Sequence, residues 1–288
     1  MFHAIVISFL LMLFSSCNSA EANNVYLPNN GEQGGVPADP YAEVVYKEIG
    51  DTKLCLYVNY PQDWKESDKF PAIVFFYGGG WTDRNINQFN KYSEYYASKG
   101  YVCFRADYRV TKVNGSTPFQ SLEDAKSAIR FIRKSAKEFR IDANKLVASG
   151  GSAGGHLAAA CAFIDGYNCQ EDDLSISAAP NALMLFNPVI DNGPDGYGYD
   201  RVGDKYPDFS PMHNVRTPVP PTIFQVGDKD KLVSVSTAEK YKQACENAGG
   251  RCDLVIYEGA QHGFFNKEEY FLQTLEHCDA FLESLNLE

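Results

Sequence analysis

The chain has 288 residues, 44% of them hydrophobic, which is enough to bury one large core, and its formal net charge is -11 at pH 7. That charge argues against nucleic acid and anionic lipid headgroups as partners, because both demand a basic surface. No internal repeat or low-complexity block interrupts the sequence.

Residues 1–20 read as a signal peptide. Ala4 to Phe14 is an apolar run, shorter than the roughly 20 residues a bilayer-spanning helix needs, and small polar residues follow it. Leu13-Phe14-Ser15-Ser16-Cys17 resembles a bacterial lipoprotein signal, which implies a lipid on Cys17; ordinary secretion with cleavage near Ala20 is the alternative. Both readings place the mature chain outside the cytoplasm, secreted or in the cell envelope, with a membrane as partner only through a Cys17 anchor. Residues 21–43, rich in Asn, Gly and Pro, read as a flexible tether to a single domain over 44–288.

Within that domain, Val44 to Ile49 and Leu54 to Tyr60 flank Gly50-Asp51 as an antiparallel hairpin at a sheet edge. Pro71 to Tyr77 is continuously apolar, as a strand covered on both faces must be, and it runs into Gly78-Gly79-Gly80-Trp81. A helix from about Gln88 to Ser98, a strand from Tyr101 to Asp107 and a long helix from Pro118 to near Arg140 follow. Ser121 with Asp124 is the expected cap of that long helix. Strands at Lys145 to Ser149, Ala182 to Phe186, Thr222 to Val226 and Leu254 to Tyr257 alternate with helices at about Ser236 to Ala248 and Lys267 to Leu285. Repeated βα units of this kind predict an α/β fold with a doubly wound, mostly parallel sheet and helices on both faces. The ligand site should then lie beyond the carboxyl ends of the strands.

The eight cysteines form no C-x-x-C pair and no His/Cys grouping at zinc spacing, so no metal site is expected. Cys55 and Cys103 read as buried thiols, whereas Cys161 with Cys169 and Cys245 with Cys252 are close enough to be disulfides in an oxidising compartment.

Gly150-Gly151-Ser152-Ala153-Gly154 fills a G-x-S-x-G pattern between an apolar strand and a small-residue helix, which pushes one serine hydroxyl into the open at a sharp turn. Serine is a poor nucleophile unless an imidazole takes its proton and a carboxylate orients that imidazole. His262, directly after the last strand, is the favoured base, over His213 in a loop and over His156 and His277 within helices. Two loop aspartates after the preceding strand compete for the third role. Asp228 is placed to hold the turn and Asp230 has the reach into the site, so Asp230 is favoured, with Asp191 a distant third. Gly79 and Gly80, together with the amide of Ala153 at a helix start, supply donors for a developing oxyanion.

These motifs carry a resemblance. The chain resembles the α/β-hydrolase fold and, within it, carboxylesterases close to the hormone-sensitive-lipase-like and bacterial acetylxylan or feruloyl esterases. Tyr77-Gly78-Gly79-Gly80-Trp81 is similar to their H-G-G-G-W loop with Tyr77 in place of histidine, and Ala106-Asp107-Tyr108-Arg109 to their D-Y-R motif. Gly151 to Leu157 and Gly259 to Phe264 match closely. The resemblance implies Ser152, Asp230 and His262 as the triad and Gly79, Gly80 and Ala153 as the oxyanion hole. It also implies hydrolysis of short acyl esters, acetyl or related groups on carbohydrates. No positions suit a cofactor, and where larger members of the family carry N-terminal cap helices, only the tether and hairpin precede the core here, so no large cap is expected over the site. Trp81 and Tyr197 are expected to contact substrate. A prolyl-type serine peptidase sharing the fold, and an inactive hydrolase kept as a binding lipoprotein, are the alternative readings.

Overall fold

The computed structural model describes residues 42–62, 64 and 69–286. The signal peptide, Cys17 and all but two residues of the expected tether lie outside that range. Those two, Ala42 and Glu43, belong to β1 (Ala42–Ile49), which begins two residues before the expected start of the domain.

β1 pairs antiparallel with β2 (Thr52–Asn59) through the turn at Gly50 and Asp51, and β2 pairs antiparallel with β4 (Val102–Ala106). From β4 inward every pairing is parallel, through β3 (Phe70–Phe76), β5 (Ile141–Gly151), β6 (Ala182–Phe186), β7 (Thr222–Gly227) and β8 (Cys252–Tyr257). The order across the sheet is β1-β2-β4-β3-β5-β6-β7-β8.

β3 shows why the central strands read as unbroken apolar runs. Its side chains alternate between two cores: Ala72, Val74 and Phe76 enter one, and Ile73 and Phe75 the other. The first core lies under α2 (Pro118–Lys134), α3 (Ala153–Phe163) and α4 (Val235–Asn247), with Leu122, Ile129, Leu157 and Tyr241 pointing in. The second lies under α1 (Asn90–Ser98) and α5 (Glu268–Ser284), filled by Tyr92, Tyr96, Leu275 and Phe281. Truncating a ring such as Phe76, which has no exposed surface, would cost about 3–5 kcal/mol.

Two local expectations are corrected. The cap of α2 is Thr117, whose amide donates to the side chain of Gln120 at 2.9 Å with Pro118 at the first helical position, not Ser121 with Asp124. Asp124 lies in the second turn, where backbone amides already have helical partners. It is fully buried and instead receives the Arg109 guanidinium at 2.7 Å and the Lys47 ammonium at 2.7 Å. The helix stops at Lys134; a separate turn, Ala136–Phe139, carries the chain to the left-handed Arg140.

The two disulfides that the spacing left open do not form. Cys161, Cys169, Cys245 and Cys252 are free thiols, as are Cys55 and Cys103, which are buried as expected. The Cys169 thiol donates to the Glu171 carboxylate at 2.8 Å, and Cys245 and Cys252 are buried in the core.

Candidate active site

Four adjacent strands, β5 to β8, each deliver one residue to the same point at their carboxyl ends. β5 ends in the turn that carries Ser152, whose φ of 53° and ψ of -119° are strained for a residue with a side chain. Glycine is obligatory around it. A Cβ on Gly154 would meet the carbonyl oxygen of Phe76 at 2.0 Å, and one on Gly150 would meet Gly154 itself at 2.4 Å. The strained turn is fastened on both sides: the Ser152 amide donates to Phe186, and the amides of His156 and Val189 donate to the Ser152 carbonyl, all at 3.0 Å.

β8 leads to His262, whose Nε2 lies 2.8 Å from Ser152 Oγ. Its Nδ1 lies 2.7 Å from Oδ2 of Asp230, in the loop after β7. The other carboxylate oxygen of Asp230 accepts from the amides of Leu232 and Val233 at 2.8 and 2.9 Å, so the acid is aimed by its own loop. Asp228 does something different. It accepts from the amide of Gly259 at 2.7 Å and thereby ties the β7 loop to the β8 loop. The two aspartates thus divide the tasks as their distance from the strand end suggests.

The remaining histidines lie elsewhere. His156 is buried, with Nε2 3.0 Å from the Phe209 carbonyl, and burial pulls its pKa down to about 3, so it stays neutral. His213 is exposed against Tyr206, and His277 packs edge-on to Tyr257. Asp191 is spent on the amide of Gly193 at 2.8 Å.

The glycine loop after β3 lies directly against the serine: a Cβ on Gly78 would come within 3.3 Å of Ser152 Cβ. The Gly78 amide donates to Gln88 at 2.6 Å. Among the described residues, the amides of Gly79, Gly80 and Ala153 have no acceptor in the protein. Gly79 (φ 125°) and Gly80 (φ 61°) need the freedom of glycine to reach that arrangement.

Tyr77, where the resembling family has histidine, anchors this loop from below. Its hydroxyl donates to Asp107 and reaches the Tyr108 carbonyl, both at 3.0 Å, while the Tyr108 hydroxyl donates back to the Tyr77 carbonyl at 2.6 Å. The two rings stack 4.2 Å apart, and Arg84 grips both oxygens of Asp107. Burial pushes the Tyr77 phenol far above the usual tyrosine range, so it remains a donor at every physiological pH.

Trp81 is a correction. It has no exposed surface; with φ at 57° the chain doubles back and wedges the indole edge-on against His156 at 5.1 Å and beside Phe209 at 6.1 Å, where it seats the loop and touches no substrate space. Tyr197 is half-buried, with its hydroxyl beside Gly80. Asn187, which sequence reasoning missed, ends β6 and sits between the serine and aspartate strands. Its Oδ1 accepts from the Gly263 amide at 2.9 Å, next to His262. Its signal was a polar residue at the carboxyl end of a wholly apolar strand. Among the described residues, no group of three or more His, Cys, Asp or Glu is placed to hold a metal ion.

The chain is similar to known proteins. The BD-FAE family model matches residues 57–194 and that of the dienelactone hydrolase family residues 201–286. An acetylxylan esterase of Xylanibacter ruminicola is 29% identical over 225 residues, covering 71% of this chain and 44% of that protein. Esterase LipC of Mycobacterium tuberculosis is 27% identical over 228 residues, covering 70% of this chain and 56% of that one, so the chain spans about half the length of these curated relatives. Esterase 2 of Thermogutta terrifontis, in its apo form, superposes with a TM-score of 0.83 at 40% identity, covering 88% of this chain and 97% of that one. Its butyrate-bound form gives 0.82 at 39% identity, covering 88% and 96%. By fold, by the arrangement of these loops and by this likeness, the chain belongs to the α/β-hydrolase serine esterases.

Proposed function

We propose that this protein is a carboxylesterase that removes short acyl groups, acetyl foremost, from acylated carbohydrates by way of an acyl-enzyme on Ser152. The observation that carries the reading is the unbroken contact from Ser152 Oγ to His262 Nε2 and from His262 Nδ1 to Asp230. In the proposed reaction His262 takes the proton of Ser152 as its oxygen attacks the ester carbonyl, and Asp230 holds the ring in the tautomer that presents a bare Nε2. The carbonyl oxygen becomes negative and is met by the free amides of Gly79, Gly80 and Ala153, which are already oriented and need no reorganisation. His262 then gives its proton to the departing alcohol. Water, deprotonated by the same imidazole, attacks the acyl-serine, and the collapse returns Ser152 and a carboxylic acid.

The short acyl group is supported by the propionate and butyrate named in two structures of the Thermogutta esterase, and the carbohydrate by the acetylxylan esterase relative. A secreted or envelope location, with Cys17 as a lipid anchor, fits a polymeric substrate that stays outside the cell. Acetate release from acetylated xylan, measured beside p-nitrophenyl esters of two to eight carbons, tests the activity. No hydrolysis of any of them would leave the inactive binding lipoprotein as the better reading. Mass spectrometry of the mature N-terminus tests the anchor, and an unmodified terminus downstream of Cys17 rules it out.

A further inference from the structure

Beyond β6 the chain forms one wall of a cavity of about 130 Å³, and the loop after β7 forms the other. Val189, Asp191, Asp195, Tyr197, Lys231 and Leu232 are among its lining residues. Three wall residues are tied to parts of the Ser-His-Asp relay or its glycine loop. The Val189 amide donates to the Ser152 carbonyl at 3.0 Å. The Leu232 amide donates to the Asp230 carboxylate at 2.8 Å. The Tyr197 hydroxyl lies so near Gly80 that a Cβ there would approach it to 2.7 Å. Wall residues are therefore bonded to, or in contact with, the serine turn, the carboxylate loop and the amide loop, although Ser152, Asp230 and His262 do not themselves line the cavity. Of the larger cavities, those of about 570 and 450 Å³ lie under the hairpin and beside α5, away from these residues, and one of about 190 Å³ lies between Gln88 and Phe265, on the other side of the glycine loop from Tyr197.

An acyl chain calls for an apolar wall, and this one is mostly polar. Among the described residues, the Asp195 carboxylate, the Lys231 amine and the Tyr197 hydroxyl form no hydrogen bond within the protein. The Asp195 carboxylate, and the one oxygen of Asp191 that Gly193 does not hold, accept hydrogen bonds from hydroxyls, one amine donates, a phenol does both, and the half-exposed Leu232 offers an apolar edge. That combination suits a polyhydroxylated ring with one apolar face. With two carboxylates against one ammonium, the local charge is negative and opposes a sugar acid. The volume is well below the roughly 300–1,000 Å³ of pockets for drug-sized ligands, and it suits a single ring.

We propose that this cavity is the subsite for the alcohol half of the substrate and that it takes one neutral pyranose; this rests on the esterase reading above. The test is kcat/KM of the full chain, and of its Asp195→Ala and Tyr197→Phe variants, on acetylated xylotriose, acetylated trigalacturonate and p-nitrophenyl acetate. The native chain should prefer the neutral oligosaccharide to the acidic one. In each variant the ratio of xylotriose-ester to p-nitrophenyl-acetate kcat/KM should fall about 3- to 10-fold, the effect of one lost hydrogen bond, with KM carrying the change. An unchanged ratio in both variants overturns the subsite and leaves the esterase standing, as does a native chain that cleaves p-nitrophenyl acetate but neither sugar ester. A native chain that cleaves none of the three overturns the esterase reading and the subsite with it.

Discussion

Asn187 accepts a hydrogen bond from the amide of Gly263, with Oδ1 2.9 Å from the nitrogen, and through it the end of β6 holds the loop that carries His262. Asn187 is buried, has a positive φ of 35°, its own backbone amide donates to the Gln225 carbonyl at 2.7 Å, and its Nδ2 lies 3.5 Å from His262 Nε2. Replacing it by alanine leaves a backbone donor unpaired at a cost of about 1–3 kcal/mol. Asn187→Ala is expected to lower kcat about 10- to 100-fold with little change in KM. Steady-state kinetics check this, and a variant with native kcat would show that the His262 loop holds itself.

Ser152→Ala should remove turnover by a factor on the order of 10⁴ or more while the protein still folds, because the three residues act as a unit. Active-site titration with a phosphonylating reagent gives the independent check: the native chain gains one adduct and the variant gains none.

Exchanging carboxylate for amide at the two competing aspartates separates their tasks. Asp230→Asn should leave thermal stability near native and lower kcat about 10³- to 10⁴-fold, since the amide disfavours the working tautomer of His262. Asp228→Asn weakens the Gly259 tie and should cost on the order of 1 kcal/mol in stability with most activity retained. The opposite pattern would exchange the two assignments.

Tyr77→Phe removes the hydroxyl that bonds Asp107 beneath the glycine loop, leaving Arg84 as the side chain that grips that carboxylate. A loss of about 1–2 kcal/mol is expected, read as a lower urea midpoint at unchanged slope. The kcat for p-nitrophenyl acetate should fall as well, because the free amides of Gly79 and Gly80 hang from this anchor. A stable variant with full activity would mean that the Tyr108-to-Tyr77 bond holds the loop alone.

His156 makes the fold sensitive to acid. Its pKa is about 6.5 when unfolded and about 3 in the folded chain, so between these values the unfolded state binds the extra proton. Its contribution is complete above about pH 6.5 and is lost as pH falls toward about 3. From pH 7 to pH 5 that loss comes to about 2 kcal/mol. Urea unfolding at the two pH values, in the native chain and in His156→Met, isolates it. The variant should show a difference smaller by that amount, and equal differences would contradict a neutral, buried His156.

Strand positions, the parallel core and three of the site residues were legible in the chain alone. A central strand must be apolar on both faces, so Pro71 to Tyr77 and Ala182 to Phe186 declare themselves without reference to anything distant. The residues brought to the site follow such strands, and Ser152, Asp230 and His262 could be picked from the loops. Glycine at 150 and 154 is likewise dictated locally, by the tightness of one turn.

What tertiary structure alone decided was the fate of residues whose partners are remote in sequence. Trp81 reads as a pocket residue because it follows a glycine loop, yet the ring is enclosed by His156 and Phe209, which lie 75 and 128 positions away along the chain. Asp124 has the spacing of a helix cap, but Lys47 from the first strand and Arg109 claim it. Asn187 gains its task only because β6 is inserted between β5 and β7, a neighbourhood set by the winding of the sheet. Cysteine spacing left the bridges open, and in the folded chain those thiols are free. Local propensity and periodicity act over a turn or a strand, whereas burial and hydrogen-bond satisfaction are settled between elements that meet only after the chain has folded.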